Sequence, residues 1–129
     1  MNDDLPPWHL DTVRSDAMIE WVALLRDANP IHVDPAAAEA LGFEHRTVNP
    51  GPTNLAYAIN MLMGAVPGSY PQEILARFGA NIYADDAIVV TGHADRDSPT
   101  RYHATVQVPA RNVVSVEVSA TLSAWDDPA

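Results

Sequence analysis

The residues best equipped for chemistry in this sequence are a carboxylate and an imidazole, Asp27 and His32. They stand five positions apart in the run Leu24-Leu25-Arg26-Asp27-Ala28-Asn29-Pro30-Ile31-His32-Val33-Asp34. An imidazole changes charge near neutral pH, so it can take up or release a proton there. A carboxylate beside it can act as a second acid or base, or can orient the ring. Pro30 stiffens the connection, which matters where two groups must meet one substrate atom. Spacing alone leaves a second reading open, in which Asp27 ends a helix and His32 sits in a turn with no chemical task.

Other polar residues carry less information. Asn54 and Tyr57 lie about one helical turn apart and could line a pocket or be satisfied core polars, and the same two readings apply to Asn60. His45, His93 and His103 have no ligand spacing, and there is no cysteine, so no metal site is expected. Trp8, Trp21 and Trp125 read as packing residues.

The elements that must position these groups divide the chain into a helical first half and a strand-rich second half. Ser15 is the expected cap of a first helix of about three turns, with Met18, Ile19, Val22 and Leu25 at helical spacing. Asp27-Ala28-Asn29-Pro30 should stop it. Asp34 can cap a second helix, with Pro35 in its first position and Gly42 ending it. Residues 47–53 hold two prolines around a glycine and are expected to be irregular. Thr53 to Gly64 should form a buried helix with Leu55, Ile59, Leu62 and Met63 on one face. The run Val66 to Pro71 should break it, and strands are expected over 74–83, 87–93, 101–108 and 113–125. Alternation in the last strand sets Val114, Val116 and Val118 against Ser115, Glu117 and Ser119.

This segregation points to an α+β fold: a curved antiparallel sheet wrapped around a long central helix, as one domain over 1–129. Its open sheet edges call for a second copy. The acidic start Met1-Asn2-Asp3-Asp4 is the opposite of a secretory leader, and no apolar run approaches the ~20 residues of a membrane helix. A cytoplasmic location is expected. The net charge is −10 and all seven cations are arginines, which argues against nucleic acid or an anionic membrane as partner. A polyanionic ligand would depend on local arginines, for which Arg46 and Arg77 are the candidates, unless they pair with the abundant acids.

The run from Asp27 to Asp34 resembles the D-x-N-P-x-H-x-D signature of MaoC-like (R)-specific enoyl-CoA hydratases and their dehydratase relatives. The resemblance extends through Pro35, Ala38, Gly42 and Phe43, and more loosely across residues 15–125. It implies the hot-dog fold. It also implies that Asp27 and His32 act together on the double bond of an α,β-unsaturated thioester, or on the reverse elimination. Asn29 would brace the loop, and Asp34 would cap the next helix. No cofactor is implied, since coenzyme A or a carrier-protein arm enters as part of the substrate.

In that family a V-H-G-M-like turn leads into the central helix, and a backbone N–H there binds the thioester carbonyl. Here the run is Val48-Asn49-Pro50-Gly51-Pro52-Thr53, with Asn49 where the histidine is usual. An ungapped alignment puts Pro50, which has no N–H, at the glycine position. A shift of one brings Gly51 there, where the backbone can approach a thioester closely and the helix N-terminus favours an anion. Gly51 is therefore the expected donor, with Asn49, Asn54 and Tyr57 as further substrate-binding residues. A plain helix-entry turn would explain the same prolines.

The expected activity is hydration or dehydration of an acyl thioester. One alternative is a polyketide or specialised-pathway dehydratase or cyclase, since an internal hydroxyl and water need the same proton management. Another is a non-catalytic hot-dog subunit that shapes a partner's pocket. A thioesterase fits less well, because residues 53–63 contain no carboxylate.

Overall fold

A computed structural model describes residues 3–125 of the chain. Met1, Asn2 and residues 126–129 lie outside it, and with them part of the acidic N-terminal run and both ends of the unit expected over 1–129. Among the described residues there are three helices, α1 (Ser15–Leu25), α2 (Pro35–Ala40) and α3 (Gly51–Ala65), with short 3-10 turns at Pro30–His32 and Pro109–Arg111. Five strands follow the order β1-β3-β4-β5-β2 in one antiparallel sheet. They are β1 (Trp8–Leu10), β2 (Ser69–Phe78), β3 (Ile88–Ala94), β4 (Arg101–Val108) and β5 (Val113–Ala124).

The sheet and α3 make the core. Val90, Ala104, Val106, Val116, Val118, Ala120 and Leu122 meet Ala58, Met61 and Leu62 of the helix, all of them buried. Leu62 is 1 % exposed, so truncation to alanine would cost about 3 kcal/mol in lost burial and residual cavity. This is the hot-dog arrangement, an antiparallel sheet around a central helix. No helix among the described residues is long and apolar enough to cross a membrane.

Several expectations need correction. Helix α1 begins at Ser15, with extended Arg14 in the cap position and no side-chain cap bond. Ile19 is 58 % exposed, because α1 turns Met18 to the core. Helix α3 begins at Gly51, two residues before the expected start, since prolines are tolerated in a first helical turn where no N–H is needed. It buries Asn54, Ala58, Met61 and Leu62, leaving Leu55, Ile59 and Met63 half-buried. Strand β2 covers 69–78, not 74–83. Pro71 is accommodated because β2 is an edge strand with a register shift between Pro71 and Glu73. Strand β1, flanked by Pro6-Pro7, was too short to be legible in the sequence.

One irregularity in β5 reverses the expected alternation at Val114 and Ser115, while Val116 and Val118 are buried and Glu117 is exposed as expected. Val106 faces Val116 and Gln107 faces Val114, so Ser115 is the extra residue of a β-bulge. Val114 is thereby 40 % exposed, whereas Ser115 is 1 % exposed.

Candidate active site

The loop that carries the acid and the imidazole is built from three successive local hydrogen-bonded devices. Helix α1 stops with Arg26 in the left-handed region (φ 53°), and the Asp27 N–H closes back on the Val22 carbonyl at 3.1 Å. Asp27 Oδ1 accepts the Asn29 N–H at 2.9 Å, forming a turn over Ala28. Asn29 Oδ1 in turn accepts the Ile31 N–H at 3.3 Å and caps the 3-10 turn. Asn29 thus braces the loop by its side chain and holds Asp27 by its backbone. Asp34 caps α2 by accepting the Ala36 N–H at 3.0 Å, as its position before Pro35 suggests.

His32 is 7 % exposed, with a hydrogen bond at one ring nitrogen and a carboxylate oxygen beside the other. Nδ1 lies 2.6 Å from the Val48 carbonyl, and Nε2 lies 3.0 Å from Asp27 Oδ2. A carbonyl can only accept, so Nδ1 carries a hydrogen. Nε2 and Oδ2 stand in ion-pair contact, near enough to address one substrate atom together. At that separation the carboxylate and the imidazole can serve as an acid and a base on one substrate. His32 is enclosed, while the Asp27 side chain is 34 % exposed, which leaves the pair a side from which a substrate can approach.

Val48 is positioned by a short two-stranded crossing. Its N–H bonds the Ile31 carbonyl at 2.9 Å, it bridges Tyr83, and Asn49 N–H bonds the Ile82 carbonyl at 2.7 Å. Ile31, Ala38, Val48 and Tyr83 form a separate apolar cluster there, with Phe43 against it. Buried Asp86 holds the Tyr83 side of the crossing. It accepts the Tyr83 N–H at 2.8 Å and receives Arg111 at 2.7 Å and Arg46 at 3.3 Å. Both guanidinium groups lie over the Tyr83 ring, at 4.9 and 5.0 Å.

The residue after Val48 opens a second polar group. Asn49 Nδ2 donates to Asn54 Oδ1 at 2.8 Å and to the Tyr57 hydroxyl at 2.9 Å. Asn49 and Asn54 are 4 % and 5 % exposed. Burial raises the Tyr57 phenol above its ordinary range, against a smaller opposite effect of the Asn49 bond, so the hydroxyl keeps its hydrogen. At the start of α3, Thr53 and Asn54 N–H groups bond the Pro50 carbonyl and Pro52 has no N–H. The Gly51 N–H is left as the free donor among the described residues. Asn49, Gly51 and Asn54 line a cavity of about 150 Å³ together with Phe78, Asn81 and Ser115.

The expected site residues therefore fall into two groups joined through Val48-Asn49: Asp27, Asn29 and His32 on one side, and Asn49, Gly51, Asn54 and Tyr57 on the other. Asp27 and His32 do not line the 150 Å³ cavity. Two larger depressions hold neither Asp27 nor His32: one of about 540 Å³ is lined by His93 and His103, and one of about 680 Å³ by His93 and the segment before β1. Arg46 and Arg77 both face carboxylates, Arg46 with Glu44 and Asp86 and Arg77 with Glu117. Arg26, beside Asp27, is the arginine without a carboxylate partner among the described residues. Ser115 and Asn81 were invisible to sequence reasoning, because a bulge and a loop crossing bring them to the cavity and neither leaves a local signature. Trp8 packs as expected, stacked on Tyr57 at 5.4 Å, whereas Trp125 is 68 % exposed against Tyr70.

No family model matches this sequence, and no curated protein sequence matches it. Solved structures do match in fold. The (R)-hydratase PhaJ1 of Pseudomonas aeruginosa superposes with a TM-score of 0.82 at 19 % identity, over 98 % of this chain and 83 % of that one. The ChsH1-ChsH2 complex of Mycobacterium tuberculosis matches with a TM-score of 0.82 at 17 % identity, over 96 % and 97 %. A MaoC-like dehydratase from Rhodospirillum rubrum matches with a TM-score of 0.74 at 16 % identity, over 100 % and 94 %. The chain has the fold of these solved structures, an (R)-hydratase and a MaoC-like dehydratase among them.

Proposed function

We propose that this protein is a hydro-lyase that adds water across the double bond of an enoyl thioester, or eliminates it from a 3-hydroxyacyl thioester. The observation that carries the reading is the contact of His32 Nε2 with Asp27 Oδ2 at 3.0 Å, with the ring held from behind by the Val48 carbonyl. In hydration, one member of the pair takes a proton from water as its oxygen bonds to the β-carbon. The π electrons move toward the thioester carbonyl, and the other member, or the proton just taken, protonates the α-carbon. Dehydration is the reverse. The free Gly51 N–H is suited to the charge that develops on the carbonyl oxygen. Every step is a proton transfer or a carbon–oxygen bond change, so the residues suffice without a cofactor, and coenzyme A or a carrier arm belongs to the substrate.

The test is turnover of a short trans-2-enoyl-CoA by the wild type, Asp27→Asn and His32→Ala. Each variant should lose about 10²–10⁴ of kcat while keeping its fold, the usual worth of a positioned acid or base. Unchanged turnover in both variants would refute the assignment.

A paired assembly is part of the proposal. Edge strand β2 is open, with Leu75 57 % and Phe78 53 % exposed, and an uncovered edge of that length suits a second hot-dog chain. The fold match to a two-component complex favours a homologous partner as readily as an identical one. Sedimentation of the purified chain should show a dimer. A monomer that is inert alone and active with a homologous chain would favour the partner-subunit reading instead. The cytoplasm is the compartment expected for such an activity.

A further inference from the structure

We propose that His93 and His103 form a two-imidazole site for a divalent transition-metal ion on the outer face of the sheet, and that Asp95 orients His103 for it. The inference stands apart from the thioester reading. Three observations carry it. First, the register sets His93 of β3 directly opposite His103 of β4, and their rings are stacked with centroids 5.0 Å apart. Both turn away from α3: Ala104 lies in the core, and a Cβ on Gly92 would stand 2.5 Å from the Met61 side chain. Second, His103 Nε2 meets Asp95 Oδ2 at 2.8 Å. The carboxylate is itself held, since Asp95 Oδ1 accepts the Asp97 N–H at 2.8 Å and the Asp95 N–H donates to the Arg101 carbonyl at 2.9 Å. The His103 bond holds the Asp95 carboxyl below the usual carboxylate range, so it stays ionised and accepts from the ring. A neutral ring that donates from Nε2 keeps its lone pair on Nδ1, and a carboxylate behind the ring is the usual partner of a metal-binding histidine. Third, both histidines border the depression of about 540 Å³, so ions in solution have access to them.

The ligands select the ion. Imidazole suits Zn²⁺, Cu²⁺ and Ni²⁺, whereas Ca²⁺ and Mg²⁺ call for oxygen donors. Two nitrogens on one tetrahedral Zn²⁺ stand about 3.3 Å apart. Rings 5.0 Å apart reach that spacing by rotation of the exposed His93 side chain, without movement of the strands. No group of three protein ligands is present among the described residues, so water fills the remaining positions. Arg77 borders the same depression but faces Glu117 at 3.8 Å, and the net charge of −10 favours a cation. Spacing along the chain hid the pair, because a hairpin brings the two histidines together.

The test is a Zn²⁺ titration of the full-length protein at about pH 7.5, where free imidazoles are mostly neutral, read by calorimetry and by the thermal midpoint. The wild type should bind one Zn²⁺ per chain, and its midpoint should rise with the ion concentration. His93→Ala and His103→Ala should each weaken binding by at least about tenfold. His93 is exposed, so its removal leaves the fold in place. Asp95→Ala should weaken binding about tenfold, and Asp95→Asn, whose amide oxygen still accepts the Nε2 hydrogen, should recover part of the loss. His45→Ala removes an imidazole bonded to Glu39 and should bind as the wild type does. In nitrogen-15 spectra Zn²⁺ should shift His103 Nδ1 while Nε2 keeps its hydrogen. No Zn²⁺ binding by the wild type, binding unaltered in both histidine variants, or a loss confined to His45→Ala would overturn the proposal.

Discussion

His32 and Val48 are joined by a hydrogen bond of 2.6 Å from the ring Nδ1 to the main-chain carbonyl, and that bond dictates which nitrogen Asp27 meets. Because a backbone carbonyl cannot be mutated away or protonated, the tautomer is locked by the fold itself. The histidine presents Nε2 to the carboxylate, and the carboxylate has the open side.

The first prediction follows from that lock. In nitrogen-15 spectra of the folded protein, the His32 ring should carry a hydrogen on Nδ1. A His32 signal of the opposite neutral tautomer would contradict the arrangement.

Arg26 offers a second test, on stability. It holds a positive φ of 53° at the end of α1, a conformation that costs an L-residue with a side chain about 1–2 kcal/mol. Glycine adopts it freely, although it loses more entropy on folding. Arg26→Gly should therefore stabilise the protein by about 0.5–1 kcal/mol, raising the thermal midpoint by about 3 °C. A fall in the midpoint would mean that the arginine side chain contributes more than its backbone costs.

Asp86 is the third. It lies 6 % exposed beneath two guanidinium groups and the Tyr83 N–H, and through Tyr83 it supports the crossing that holds Val48. Asp86→Ala would strand these donors and should cost about 3 kcal/mol in denaturant unfolding. Arg46→Ala removes a 27 % exposed side chain from the same cluster and should cost less than half as much. Equal losses would show that the carboxylate is not its hub.

The fourth concerns alkaline pH. Burial raises the Tyr57 phenol above its ordinary 10.0, and the Asn49 bond offsets this only in part. A group whose value is higher folded than unfolded stabilises fully below the unfolded value, and that stability is lost as pH rises through the folded one. Stability should therefore fall above about pH 10 more steeply in the wild type than in Tyr57→Phe, as read from denaturant midpoints along a pH series. Parallel curves would remove Tyr57 as the cause.

How much of this was legible beforehand differs by residue. The loop from Asp27 to Asp34 could be read closely because its devices are local: Asn29 and Asp34 cap the turns that follow within two or three residues, and Pro30 and Pro35 mark where those turns start. Strand β4 was readable for a similar reason, as turn residues bound it on both sides. Such features depend on interactions along the chain, and the amino-acid order alone contains them.

The rest depended on contacts between distant residues. That Val48 would orient His32 could not be read from either residue, because the bond spans sixteen positions and exists only once 47–49 crosses 82–84. The strand register placed Ser115 inward against its own alternation, since a bulge is a property of two paired strands and not of one. The prolines around Gly51 looked like an obstacle to helix. Only tertiary packing put Gly51 at the head of α3, where its N–H stands free as the first of the helix and Pro52 needs no acceptor.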